Sequence, residues 1–260
     1  MNATLNRTLK HILRGWVLPF FDPRPLAGLA RLPRFFGEWR RYRAASSEAG
    51  LDAINLWPCL ADRTAQTPFD PHYFFQGAWL ARHLAATKPA LHVDAGSSVL
   101  MLSVMSAEVP TVFLDYRPIA PNLAGLVPVA GNLTQLPFAD DRIQSLSCLH
   151  VIEHVGLGRY GDPLDPTGGK RALAELARVL APGGLLYVSM PVGRERVCFN
   201  AHRVFAPQTV VAAATGLTLE SFALVDDAGA FHADVALDHA RGLAYGCGMF
   251  VLRKREAANA

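Results

Sequence analysis

From Ala90 onward, short apolar runs alternate with longer stretches of helical periodicity, the pattern of an open, doubly wound α/β sheet with parallel strands. Strands are expected at Leu91 to Asp94, Thr111 to Asp115, near Val127 to Ala130, Ile143 to His150 and Leu185 to Met190. Leu219 to Val225 and Met249 to Arg253 read as a closing pair of strands. Helices are expected over about Ser98 to Ala107, Gly169 to Leu180 and Pro207 to Thr215, with Ala181-Pro-Gly-Gly184 stopping the second of them before the fifth strand. Ahead of the sheet, Phe74, Phe75, Trp79, Leu80 and Leu84 mark an amphipathic helix from Asp70 to Ala86, with Asp70 as N-cap and Pro71 at its first position. The first 45 residues read as helical pieces broken by Pro19, Pro23, Pro25 and Pro33.

Composition narrows the class. The chain has 260 residues, 51% hydrophobic and 18% charged, enough for one sizeable core with an extension. No apolar run approaches the roughly 18 to 20 residues that cross a bilayer, and no export signal is read. Cys59, Cys148, Cys198 and Cys247 are scattered singly, which argues against a disulfide framework or a cysteine zinc site and makes the cytoplasm the expected compartment. Met1 to Arg43 hold 9 Lys and Arg against 2 Asp and Glu, so the positive charge belongs to this segment. Its Trp16, Phe20, Phe21, Phe35, Phe36 and Trp39, beside Arg14, Arg24, Arg31, Arg34, Arg40, Arg41 and Arg43, suit an interfacial helix on the inner, anionic face of a membrane. The same residues suit a cover over a cleft or over a neighbouring subunit. No nucleic-acid partner is expected, because no binding module accompanies the charge.

In such sheets, ligands bind beyond the carboxyl ends of the strands. The first strand ends in Asp94-Ala-Gly-Ser-Ser98, where Gly96 permits close backbone approach, and the second ends in Asp115, 21 residues beyond Asp94. That spacing suits a carboxylate on a ribose, and a single glycine in the turn disfavours a pyrophosphate. Asp94 and Asp115 also suit caps of the turns that follow them, and Asn132 a turn start.

Val93-Asp-Ala-Gly-Ser97, Phe113-Leu-Asp115, Gly131-Asn-Leu-Thr-Gln-Leu-Pro-Phe138, His150-Val-Ile-Glu-His154 and Arg178-Val-Leu-Ala-Pro-Gly-Gly184 resemble the class I S-adenosylmethionine-dependent methyltransferases, over roughly Phe69 to Arg255. Leu149 to Pro166, Phe199-Asn-Ala-His-Arg203 and Tyr245-Gly-Cys-Gly248 are similar to a bacterial methyltransferase-like group of unknown function associated with surface-polysaccharide genes. The resemblance implies a Rossmann-like, doubly wound seven-stranded sheet, mostly parallel with its last strand antiparallel, over residues 69–260 behind an N-terminal basic helical extension over residues 1–68. It implies S-adenosylmethionine as cofactor, with Asp94, Gly96 and Ser97 around its methionine end, Asp115 on its ribose, Asn132 and Leu133 at its adenine, and His150 lining the cleft. The family usually carries further glycines where this chain has Ser97 and Ser98.

Methyl transfer to a hydroxyl needs a positioned acceptor and a base. His150 and His202 are the candidate bases, with Glu153 as a carboxylate beside them. The loop from Gly156 to Gly169 carries Arg159, Tyr160, Asp162 and Asp165, which with His202 suit a sugar, glycan or lipid-linked glycan acceptor. Two rival readings stand beside this one. A non-catalytic scaffold or sensor would keep the fold and the cofactor site. His150-x-x-Glu153-His154 also matches the pattern of inverted zinc peptidases and offers a divalent-metal site made of His150, Glu153 and His154. An oligomer is compatible with every reading.

Overall fold

The computed structural model describes residues 28–256, and the chain divides into two compact units, Met1–Phe69 and Asp70–Ala260. In the first unit a 3-10 turn, Leu29–Arg31, leads into helix α1, Leu32–Ala45. Pro33 lies in the first turn of α1, where its missing N–H has no helical acceptor to lose, so it starts this helix instead of breaking one. Arg34 pairs with Glu38 one turn on at 2.9 Å, and the Arg43 guanidinium lies 5.6 Å from the Trp39 ring centroid. Pro19, Pro23 and Pro25, with Arg14, Trp16, Phe20, Phe21 and Arg24, lie outside the described residues.

The second unit opens with α2, Pro71–Thr87, whose expected cap forms: Asp70 accepts from the backbone N–H groups of His72 and Tyr73 at 2.9 and 3.3 Å. There follow β1 (His92–Ala95), α3 (Val99–Met105), β2 (Thr111–Asp115), β3 (Leu126–Ala130), β4 (Ile143–Leu149), α4 (Gly168–Val179) and β5 (Leu180–Val192). A hairpin of β6 (Arg196–Cys198) and β7 (His202–Val204) precedes α5 (Pro207–Ala213), β8 (Leu217–Val225), β9 (Phe231–His232) and β10 (Gly246–Lys254).

The main sheet has eight strands in the order β3-β2-β1-β4-β5-β10-β8-β9. β1 to β5 run parallel, and β10 inserts antiparallel between β5 and β8. The expected seven strands thus become eight, because β9 pairs antiparallel with the outer edge of β8 through two residues, too few to leave a periodic signal. A second difference concerns Ala181-Pro-Gly-Gly184. Ile143 pairs with Leu180 and Ser145 already with Leu185, so the segment is an irregularity inside β5 and not a stop before it.

Strand alternation sends successive side chains to two cores. Leu186, Val188, Phe250 and Leu252 pack with Leu173 and Leu176 of α4 on one face, while Tyr187, Met249 and Val251 pack with Trp79, Leu80 and Leu84 of α2 on the other. The α2 stripe is narrower than its sequence suggests: Phe74 is exposed, and the buried Gln76 takes a place in the stripe because its side-chain oxygen accepts from Ser189 Oγ at 2.5 Å. Replacing the fully buried Leu80 by Ala should lower the unfolding free energy by about 2–5 kcal/mol, against less than about 0.5 kcal/mol for Leu100→Ala on the exposed side of α3, measured by urea denaturation.

Candidate functional site

The turn after β1 is fixed from below by Asp94. Its side chain is fully buried: Oδ1 accepts from the Ser97 backbone N–H at 2.9 Å, and Oδ2 accepts from Ser147 Oγ on β4. The next link is His92, whose Nε2 and Nδ1 each lie 2.8 Å from a hydroxyl, Ser147 Oγ and Ser145 Oγ. A carboxyl, a hydroxyl and an imidazole therefore form one chain in the middle of the sheet. Burial pushes the Asp94 carboxyl up to about 6 and the His92 imidazole down to about 4. Ser97, standing where a glycine was expected, is also buried, and its hydroxyl accepts from the Leu149 N–H at 2.9 Å, tying the turn to the end of β4.

Above this layer a cleft, partly open to solvent, lies beyond the carboxyl ends of β1, β2, β3 and β4. Gly96 lines it with φ +78°, and a Cβ there would meet Val151 at 3.0 Å, so both the conformation and the space call for glycine. Its N–H donates to Leu114 O at 2.8 Å, and Gly131 N–H donates to Asp115 O at 3.1 Å, which locks three strand ends into one rim. Asp115 uses Oδ1 to accept from the Arg117 N–H at 2.7 Å, while no described hydrogen bond engages Oδ2. Asn132 closes a turn by accepting from Thr134 N–H and Oγ1, both at 2.9 Å, with Leu133 buried beside it.

His150 follows β4 with φ +56°, a left-handed conformation uncommon outside glycine. The kink turns its ring away from the strand. Nδ1 lies 2.8 Å from Glu153 Oε1, and Nε2 lies 3.3 Å from Cys247 Sγ. Burial opposes protonation of this ring, but the Cys247 sulfur and the Glu153 carboxylate outweigh it and hold its pKa well above the ordinary value. His154 lines the cleft one 3-10 turn later, with Nδ1 donating to Ala201 O at 2.6 Å; burial keeps its pKa below the ordinary value. Across the mouth, Tyr160 lies between two guanidinium groups, Arg117 at 4.4 Å and Arg159 at 5.1 Å from the ring centroid.

The cleft brings together Gly96, Asp115, Asn132, Leu133, His150, His154, Tyr160 and Asp162 among the residues singled out from the sequence. Others stand elsewhere. Asp94 and Ser97 lie beneath it as a hydrogen-bonded floor, and Glu153 is buried behind His150. Asp162 shapes its own loop by accepting from Gly156 N–H at 2.7 Å, and Asp165 is turned to Thr167 and Arg171. Arg159 donates to Ala201 O at 3.1 Å, and the His202 ring lies against Tyr245, with centroids 5.0 Å apart, outside the cleft lining. The three residues of His150-x-x-Glu153-His154 do not offer three ligand atoms to one point. Glu153 Oε1 sits on His150 Nδ1, His154 Nδ1 faces Ala201, and the described group with metal-ligand geometry is His72, His150 and Cys247. Sequence reading missed Arg117, His72 and Cys247 as site residues; Tyr245-Gly-Cys-Gly248 was the signal within reach for the last.

Residues 133–229 match a family model described as Caenorhabditis protein of unknown function, DUF268. No curated protein matches the chain. Among solved structures, the chain resembles one named "putative sarcosine dimethylglycine methyltransferase" from Galdieria sulphuraria, with TM-score 0.51 and 16% identity over 71% of this chain and 86% of that one. It also resembles the 4+2 cyclase SpnF, with TM-score 0.50 and 14% identity over 69% of this chain and 81% of that one. These likenesses establish a methyltransferase-type Rossmann-like fold; the two names denote different reactions, so the reaction must be argued from the site.

The buried chain gives two opposite pH responses in one window. Between about pH 4 and 6 folded Asp94 keeps a proton that the unfolded carboxylate has lost, so its contribution to stability falls as pH rises. Over the same window folded His92 lacks a proton that the unfolded imidazole holds, so its contribution rises. Relative to wild type, Asp94→Asn should add about +1.4 kcal/mol per pH unit to the slope of unfolding free energy, and His92→Gln should subtract a similar amount. Denaturant titrations at several pH values between 4 and 6 measure both slopes, and identical slopes in all three proteins would contradict the assigned protonation states.

Proposed function

We propose that this chain is an S-adenosylmethionine-dependent methyltransferase that methylates a hydroxyl of a sugar in a phosphate-bearing glycan or glycolipid precursor, in surface-polysaccharide biosynthesis. The observation that carries the reading is the rim itself: a glycine whose Cβ position is closed, next to a strand-end carboxylate with one oxygen still to be engaged. A ribose diol fits that oxygen, because one carboxylate oxygen accepts from hydroxyls while the other stays on the Arg117 N–H. Asn132 and Leu133 stand along the same cleft for the adenine, and Gly96 leaves room at the methionine end. When bound, the cofactor supplies an electrophilic methyl group.

The chain's own residues do the rest. His154 keeps its Nδ1 proton on Ala201 O and burial holds its pKa below the ordinary value, so Nε2, which lies 3.7 Å from Glu153 Oε1, beyond hydrogen-bond distance, is the nitrogen left to take the acceptor's hydroxyl proton. It takes over the role that sequence reading gave to His150 or His202, since His150 commits both ring nitrogens to Glu153 and Cys247. Arg117 and Arg159, stacked on Tyr160 at the mouth, place two positive charges where a phosphate of the acceptor's carrier would lie. A lipid carrier agrees with a cytoplasmic protein that uses its basic, aromatic N-terminal segment at the membrane face.

Isothermal titration with S-adenosylmethionine and S-adenosylhomocysteine tests the cofactor assignment. Micromolar binding is expected for wild type, and Asp115→Ala should weaken it by roughly 10- to 100-fold. His154→Gln should leave that binding unchanged and lower turnover by roughly 10²- to 10⁴-fold on nucleotide-sugar or lipid-linked glycan acceptors. Absence of binding in wild type would favour a scaffold that keeps the fold alone.

A further inference from the structure

Next to the cleft, three ligand-type side chains from three distant parts of the sequence converge on one point. His72 comes from the first turn of α2, His150 from the kink after β4 and Cys247 from β10. One ligand atom from each lies within 4.8 Å of the other two, and among the described residues no other group of three His, Cys or carboxylate ligands does the same. We propose that His72, His150 and Cys247 bind a divalent ion of the zinc class, with Glu153 holding His150 from outside the coordination sphere.

The donor set is the first reason. Two imidazoles and a thiolate select a borderline ion such as Zn²⁺ over Mg²⁺ or Ca²⁺, and three protein ligands leave the fourth tetrahedral position for water or substrate. Distances agree with this. Zinc lies about 2.0–2.1 Å from nitrogen and 2.3 Å from sulfur, so a tetrahedral site separates N and S by roughly 3.5 Å. His150 Nε2 and Cys247 Sγ are already 3.3 Å apart. The half-buried His72 brings its ligand atom within 4.8 Å of both, and an inward movement of its side chain completes the set.

The partner of the other His150 nitrogen is the second reason. Metal-bound histidines characteristically donate their remaining N–H to a carboxylate, which fixes the tautomer and raises ligand basicity. His150 Nδ1 meets Glu153 Oε1 at 2.8 Å, leaving Nε2 directed at the sulfur. Charge supplies the third. Glu153 is fully buried, and its Oε2 has no hydrogen-bond partner among the described residues. The His150 ring stands between this carboxyl group and the Cys247 sulfur, and a divalent cation held by Nε2 and Sγ would place positive charge in a pocket that otherwise offers Glu153 no second partner.

The proposal concerns a binding site and stands independently of the methyl-transfer reading. Full-length protein purified without chelator should contain close to one equivalent of zinc by inductively coupled plasma mass spectrometry. After removal of the metal, titration with Co²⁺ should give tetrahedral d–d absorption and a thiolate-to-cobalt charge-transfer band. Cys247→Ser should abolish the charge-transfer band, and His72→Ala and Glu153→Gln should each weaken Co²⁺ binding by roughly 10- to 100-fold. Circular dichroism confirms that each variant is folded. If Cys247→Ser does not fold, Cys59→Ser, Cys148→Ala and Cys198→Ser should each keep the band, assigning it to Cys247 by elimination. No stoichiometric metal in wild type, a band that survives Cys247→Ser, or binding that depends on His154 and not on His72, would overturn the site and leave His150 and Glu153 as a proton-linked pair.

Discussion

A carboxylate that water cannot reach must find its hydrogen bonds inside the protein, and the partners of Asp94 set the geometry on which the cleft rests. One oxygen holds the turn that follows β1, and the other holds a hydroxyl on β4, so two neighbouring strands and the loop above them share one anchor. Ser97 closes the same loop from the opposite side through Leu149. Gly96 sits at φ +78° against Val151 because it has no Cβ, and the anchored turn holds it there. The rim formed with Asp115 and Gly131 inherits its position from this floor.

Much of this was legible in the sequence wherever the signal is local. Asp70 and Pro71 mark a helix start by their own chemistry, and the cap forms as expected. Strand-end polarity gave Gly96, Asp115 and Asn132, which the fold gathers on one cleft because parallel strands all end on the same side. Pro33 misled because proline reads alike as a breaker and as a first-turn residue. Ala181-Pro-Gly-Gly184 misled because breaker residues also fit an irregularity between two paired stretches of one strand.

What escaped was long-range. His72, His150 and Cys247 share no spacing rule; they meet only because α2 packs on the face where β10 lies beside β5. A spacing test for cysteine ligands therefore could not find them. Asp94 and Asp115 are equivalent in the sequence pattern, yet one is an anchor beneath the cleft and the other borders it. The difference is one of depth below the sheet's edge, which a linear pattern does not encode. His202 and Asp165 are near the right strand ends but turned toward other partners.

The insertion of β10 between β5 and β8 carries a consequence for biosynthesis. β8 and β9 leave the ribosome earlier, yet in the finished sheet β8 touches β5 only through β10. Until residues 246–254 emerge, the nascent chain presents two open sheet edges, along β5 and along β8, each lined with hydrogen-bonding groups that fit other strands. The sheet closes only when β10 takes its place, and Cys247 comes beside His72 and His150 in the same event, so the two edges are covered and the three side chains gathered together.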